Sequence, residues 1–224
     1  MTLCRLIFLV LTVGCLTAPT AFAADSWYAA RITGGDTPFR VEHFWSSGPK
    51  VRMDTVIRAQ PFVTIVQGEY YTVIDPVRNT ATAIRRHPSA LKLEREIQGK
   101  RPFARDADRL IEAGAEQVGS EKIAGRQSLH FRVSNRLAAS EAWVTEDEFQ
   151  LPMRVIRYDR TSGETRREDF IDWARDLELP DAFFQPASTV TVERLEYNQY
   201  GERVEDRTSS LVPILIPELL HGRE

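Results

Sequence analysis

The chain has almost no cysteine, and this narrows the chemistry before any motif is sought. Of its 224 residues only Cys4 and Cys15 are cysteines, and both lie in a leader-like N-terminus. Residues 1–5 form a short basic start, residues 6–13 (LIFLVLTV) an apolar run, and Ala21-Phe22-Ala23 offers small residues at the two positions a signal peptidase reads. This is the pattern of a secretory signal peptide, with cleavage expected after Ala23 and Ala24 as the first mature residue. The mature chain would then carry no thiol, which excludes a disulfide framework, a thiolate nucleophile and a cysteine metal site. One alternative stays open. Thr12-Val13-Gly14-Cys15 resembles a lipobox, which would place a lipid on Cys15, with Thr12 standing where Leu is usual. Long apolar runs are also missing, since residues 6–13 fall well short of the ~20 that a membrane-spanning helix needs.

Catalytic signatures are absent too. The sequence contains no Gly-x-Ser-x-Gly, no phosphate-binding Walker loop, no His-Glu-x-x-His and no dinucleotide fingerprint. Its four histidines, His43, His87, His130 and His221, are far apart, and no local spacing suggests a metal site. Asp106 and Asp108 are two apart on an expected helix and so do not share a face. These absences point to a binding protein rather than an enzyme, with no cofactor and no metal. Positive charge is not in surplus either. Removing residues 1–23 takes one arginine away and moves the formal charge from −3 to −4, which gives no footing for nucleic acid. Of the 29 basic residues 25 are arginine, which reads as compositional bias rather than phosphate recognition.

What is present is a series of short strands separated by turns. Residues 39–45 alternate, with Phe39, Val41 and Trp45 on one parity. Ser47-Gly48-Pro49 turns the chain into 50–57, where Val51, Met53 and Ile57 share a parity. Residues 62–66, 70–74 and 80–84 continue an antiparallel meander, with turns at Gly68-Glu69 and around Asp75-Pro76. The pattern breaks at Pro88, a good first helical residue, after which Ala90, Leu93 and Ile97 recur at helical spacing. Gly99-Lys100-Arg101-Pro102 interrupts, and residues 104–113 are helical again, with Ala107, Leu110 and Ile111 as a stripe and Gly114 as the stop. Strands are expected again at 117–123, 129–133, 141–145, around Met153 and Val155, and at 166–173. Leu179-Pro180-Asp181 opens a turn reaching Phe184, and a last strand pair is expected at 190–197 and 203–208. About eleven strands and two short helices emerge, in one domain. Arg166-Arg167-Glu168-Asp169 reads as a solvated strand face, His130 as a solvent-face strand residue, and Arg85-Arg86-His87 as surface or as an anchor for an anionic head group at a cavity rim.

Two stretches resemble the LolA/LolB-like superfamily of periplasmic lipoprotein carriers and their relatives. The first is Phe44-Trp45-Ser46-Ser47-Gly48-Pro49-Lys50-Val51-Arg52-Met53-Asp54, followed by Val63-Thr64-Ile65-Val66 and Tyr71-Thr72-Val73-Ile74-Asp75-Pro76. The second is Gly119-Ser120-Glu121-Lys122-Ile123-Ala124-Gly125-Arg126, then Trp143-Val144 and Leu151-Pro152-Met153-Arg154. Each motif is weak alone, and their order is the more specific signal. One departure matters. The carriers place an Arg directly before the Pro of the first turn, and this chain has Gly48 there, so the role of that Arg does not carry over.

The resemblance implies a mainly β fold with some helix: a strongly curved antiparallel sheet, an unclosed half-barrel, whose two-helix insert (88–114) forms a lid. The domain would span 24–210, leaving an apolar C-terminal segment, 211–224, that packs on the barrel, acts as a second lid or docks a partner. The implied function is a periplasmic carrier that holds a lipid or acylated protein in an apolar cavity, with an inner-membrane exporter or outer-membrane acceptor as further partners. Apolar residues on both parities of one strand, as in Phe62-Val63-Ile65-Val66, fit a cavity-bearing sheet. A sheet simply covered by helices is the rival. Candidate ligand-facing residues are Val41 and Trp45, Val51 and Met53, Ile65, Tyr71 and Val73, and, in the second half, Leu129, Phe131, Trp143 and Met153. Which strand parity faces inward is left open by the pattern. Leu93, Ile97, Leu110 and Ile111 are the candidate lid residues. A second function is compatible with the same fold: an envelope-stress sensor or structural interaction module that contacts a membrane-bound partner through sheet edges or the C-terminal segment.

Overall fold

The computed structural model describes residues 25–98, 100–206 and 212–223. The expected signal peptide, with Cys4 and Cys15, lies outside the described residues.

Among the described residues, twelve strands form one sheet. In chain order they are β1 (Ser26–Gly35), β2 (Arg40–Ser47), β3 (Lys50–Ile57), β4 (Gln60–Gln67), β5 (Tyr70–Asp75) and β6 (Thr80–Arg85), then, after the helices α1 (Pro88–Glu96) and α2 (Asp106–Glu112), β7 (Glu116–Ile123), β8 (Arg126–Ser134), β9 (Ala138–Thr145), β10 (Pro152–Asp159), β11 (Thr165–Arg175) and β12 (Thr191–Leu195). Two more helices follow, α3 (Tyr197–Asp206) and α4 (Pro217–His221). The spatial order is β12-β6-β5-β4-β3-β2-β1-β11-β10-β9-β8-β7. The end strands do not pair with each other, so the sheet is an unclosed half-barrel with a few short helices.

Three differences from the sequence expectation have physical causes. β1 is absent from that expectation, yet it is central and joins the two meanders by pairing with β2 on one side and β11 on the other. Its inward row runs Trp27, Ala29, Arg31, Thr33, and a buried arginine among small residues hides the period-two signal. The expected strand at 203–208 is not formed where it is described. Residues 203–206 belong to α3, whose exposed polar composition does not suit a sheet position. β12 is shorter than expected, and it pairs with β6 in parallel, the one parallel pair among the described strands. A parallel partner needs a long crossover, and here α1, α2, β7–β11 and a 3-10 turn (Asp181–Phe184) all lie between β6 and β12.

Both faces of the first meander are covered. On the inner face, Phe44, Met53, Thr64 and Val73 lie opposite one another across β2–β5, and beside them runs the row Ser46, Val51, Val66, Tyr71, Ile84. All of these are buried. On the outer face, Ile65, Ile74 and Ala81 pack with Phe184, and Phe183, Leu179, Val190 and Val192 lie against them. The two-sided apolarity of residues 62–66 therefore arises from a second layer outside the sheet as well as from the inner core.

Candidate functional site

The inner face is filled by the protein's own helices. α2 packs on β8, β9 and β10, while α1 packs on α4. Between them, Phe103 stacks on Phe44 at 5.2 Å and lies parallel to Trp173 at 6.1 Å. Val212, Ile214, Leu215 and Ile216, with Leu219 and Leu220 of α4, join the same core. The C-terminal segment thus lies on the inside of the half-barrel.

A few polar fastenings hold this cover. Tyr71 is fully buried on β5, and its hydroxyl accepts the backbone N–H groups of Leu215 (3.0 Å) and Ile216 (3.1 Å). Burial pushes its phenol up to about 12, with the two donors opposing this. Arg86 follows β6, and its guanidinium reaches three elements. It donates to the Gly68 carbonyl (2.7 Å), to Glu94 of α1 (2.6 Å) and to the Leu219 carbonyl of α4 (2.6 Å). Next to it His87 caps α1 through its ring and donates its backbone N–H to the Leu220 carbonyl at 2.9 Å. Of the Arg85-Arg86-His87 run, only Arg85 is a surface residue, paired with Glu69 and Glu196. Arg86 is committed to the protein's own carbonyls and Glu94, so it does not offer a free anchor for a head group. Buried Arg101, in the loop between α1 and α2, donates to the Phe103 and Ala104 carbonyls and lies 4.9 Å over Trp173. Burial lowers it to about 10, with Asp108 opposing.

At one end the cover leaves a cavity of about 470 Å³. It lies between the β2–β3 turn (Gly48, Pro49), the C-terminal end of α1 (Glu94, Ile97) and Leu219 of α4. Gly48 therefore stands at the rim.

The proposed ligand-facing residues divide between the two faces. Val51, Met53, Tyr71, Val73 and Met153 are buried on the inner face, and Leu129 and Phe131 are half-buried there beside the core. Val41, Trp45, Ile65 and Trp143 have the opposite parity. Val41 is 36% exposed. Trp45 belongs to an outer cluster with Tyr28 (5.3 Å), His43 and Phe183. Ile65 packs under Phe184. Trp143 stacks on His130 at 4.1 Å and donates to Glu121. These four therefore do not share a surface with the other seven. The alternation in β2 misleads because its outer row is aromatic while its inner row, Glu42, Phe44, Ser46, contains a buried carboxylate. Of the lid residues, Leu93, Ile97 and Leu110 are buried in the cover and Ile111 is half-buried. His130 sits on the outer face, half-buried and bonded to Glu141 at 2.6 Å.

The largest feature that the sequence did not announce is a charged cluster inside the half-barrel. Arg31 of β1 donates to Glu42 (2.7 Å) and to Glu168 (3.2 Å), and Thr33 also donates to Glu42. Burial pushes Glu42 up, but adjacent Arg31 and the hydrogen bonds outweigh this and hold its carboxyl below the usual range. Asp106 at the start of α2 is likewise held down by Arg157 of β10, against its burial, and the two are bonded directly. The run 166–169, expected on a solvated face, is split by the pleat. Arg167 and Asp169 pair outside, whereas Glu168 is buried inside and Arg166 lies beside it. Strand alternation alone places Arg166 and Glu168 on the face opposite Arg167 and Asp169, and that is the signal the sequence offers. Among the described residues no group of His, Cys, Asp and Glu is arranged to hold a metal ion, and no helix is long and apolar enough to cross a membrane.

The unclosed half-barrel with short helices matches the architecture expected from the sequence. A model of the family described as "Predicted periplasmic protein (DUF2092)" matches residues 100–196, from the helical insert to just past β12. No curated protein matches. Among solved structures, an uncharacterized conserved protein from Thermus thermophilus aligns with a TM-score of 0.54 at 10% identity, covering 78% of this chain and 92% of that one. The Pseudomonas aeruginosa MucA/MucB complex aligns at 0.47 and 14% identity over 76% of this chain and 59% of that one. The Mycobacterium tuberculosis lipoprotein LppX aligns at 0.43 and 12% identity over 69% of this chain and 89% of that one. At these identities the Thermus likeness speaks for the fold alone.

Proposed function

We propose that this periplasmic protein binds a lipid or lipidated ligand on the inner face of its half-barrel and carries it through the aqueous space. The observation that carries this reading is the nature of the cover. The inner face of the sheet is largely apolar outside its charged cluster, and what lies over it is a set of helices of nine, seven and five residues and one extended segment. Helices this short are unstable alone and owe their order to what they rest on. An acyl chain gains about 0.8 kcal/mol per buried CH₂, so it can take over those contacts when the cover lifts. The same exchange keeps net affinity moderate, because the ligand must displace apolar side chains that are already dry. Release to an acceptor at either membrane then needs only a competing surface. This is binding chemistry rather than catalysis.

Native mass spectrometry of the protein purified from periplasm tests the proposal. A co-purifying lipid adduct is expected, together with saturable binding of a dansyl-labelled fatty acid. A bare polypeptide mass with no binding of the probe would overturn the carrier reading.

A further inference from the structure

Beneath the C-terminal segment lies a second cavity, of about 360 Å³. It is polar where the first is mostly apolar. Five arginines reach it from five elements: Arg31 from β1, Arg40 from β2, Arg157 from β10, Arg166 from β11 and Arg109 from α2. Against them stand Asp106, Glu168 and Glu218 at the wall, with Glu42 behind Arg31. Five guanidinium groups and four carboxylates leave one positive charge uncompensated.

The hydrogen-bond pattern is more telling than the count. Arg31 is satisfied by Glu42 and Glu168, and Arg157 by Asp106. The other three each keep a buried Nε–H without an acceptor: Arg40, Arg109 and Arg166. Arg40 Nε lies 3.7 Å from Glu42, beyond hydrogen-bond reach. Arg166 spends its terminal nitrogen on Glu168 at 2.6 Å, and Arg109 is paired with Glu218. Buried donors in native proteins are nearly always met. Here three unmet donors, all charged and from three different elements, border one cavity against a single unmet acceptor, Glu218 Oε2 beside Arg109, so the surplus lies with Arg40 and Arg166. A carboxylate suits a single guanidinium fork. A tetrahedral oxyanion has more acceptor oxygens to share among donors from three elements. The opposite wall, Phe44, Phe103 and Ile214, is apolar and continuous with the inner core.

We propose that this cavity binds a phosphate-class oxyanion through Arg40, Arg109 and Arg166. Where the anion is the head group of an amphiphile, the proposal rests on the carrier reading, and the acyl chains run from Phe44 along the inner face. The large share of arginine in the sequence then includes a local phosphate site as well as compositional bias.

Calorimetry with three probes tests it: inorganic phosphate, dihexanoyl phosphatidic acid and dihexanoylglycerol. R40Q and R166Q are the variants. R40K keeps the charge at that position without an Nε–H. R167Q, one residue along on the outer face, is the control. Phosphatidic acid is expected to bind more tightly than dihexanoylglycerol. R40Q, R166Q and R40K should each weaken it by about tenfold, with R167Q unchanged and folding verified by circular dichroism. If inorganic phosphate alone binds, and R40Q removes it, the oxyanion site stands and the carrier reading falls. If phosphatidic acid and dihexanoylglycerol bind equally and the arginine variants behave as wild type, the site is overturned and the carrier reading stands. Binding of none of the three overturns both.

Discussion

At the scale of single residues, Tyr71 decides most about the inner face. Its hydroxyl is the acceptor for two buried backbone donors of the C-terminal segment. Y71F leaves Leu215 and Ile216 N–H unmet and should cost about 1–3 kcal/mol, measured by chemical denaturation. The same variant should raise amide exchange over 212–221. Because the fold raises this phenol to about 12, the neutral form is favoured when folded. Stability from this group is complete below pH ~10 and is lost as pH rises from there towards ~12. The carboxylates have the opposite sign. Glu42 and Asp106 are held below their ordinary values, so their stabilisation is present above the usual carboxylate range and lost as pH falls through the depressed values. Melting temperature should hold steady down to about pH 5 and decline below about pH 4. E42Q should melt lower than wild type at neutral pH and show a shallower acid limb. These residues are hard to see in sequence because a buried Arg31–Glu42 pair looks like surface in a linear pattern. Polar alternation in a strand marks a face, and it does not mark which face meets water.

At the scale of elements, the insert behaves as local signals dictate. Pro88 opens α1 and Gly114, with φ of 86°, ends the α2 turn, as the spacing of Ala90, Leu93, Ala107 and Leu110 predicts. The strands of the first meander are equally legible, because tight turns and β-branched runs act over a few residues. What joins the elements is not legible, since it depends on packing. α4 meets the start of α1 so closely that a Cβ on Gly222 would lie 2.5 Å from that of Ser89, and Gly222 has φ of 85°. G222A should therefore force α4 away from α1. Faster exchange in both helices is expected, while the far-ultraviolet signature of the sheet stays the same. If the insert opens to admit ligand, it sits at the low-stability end of the native structure. Exchange over 88–114 should then be faster than in β4, β5 and β8, and should slow when the dansyl-labelled fatty acid binds. L93D/I97D should weaken that probe by at least about tenfold, and wild-type affinity in this variant would remove the insert from the ligand path.

At the scale of the whole molecule, the half-barrel is visible in outline from the order of its strands and turns. The way it is joined is not. The mature protein should have an intact mass starting at Ala24 and melt at the same temperature with and without reductant, because both cysteines precede residue 24. A diacylated Cys15 would show at once as added mass.

The central place of β1 sets an order of events. β1 pairs with β2, which follows within a few residues, and with β11, whose first partner for Gly35 is Arg166. Contacts so distant in sequence slow folding, because a long loop must close before they repay its entropy. A chain threaded N-terminus first through a membrane pore can thus form its first meander early, yet the sheet stays divided until most of the polypeptide has emerged. The last strand to arrive, β12, then lies beside β6, the far edge of that first meander. The final act of assembly clasps the late half of the chain onto the early one, so a ribosome or translocon stalled before residue 165 would hold the two halves of the vessel with nothing to join them.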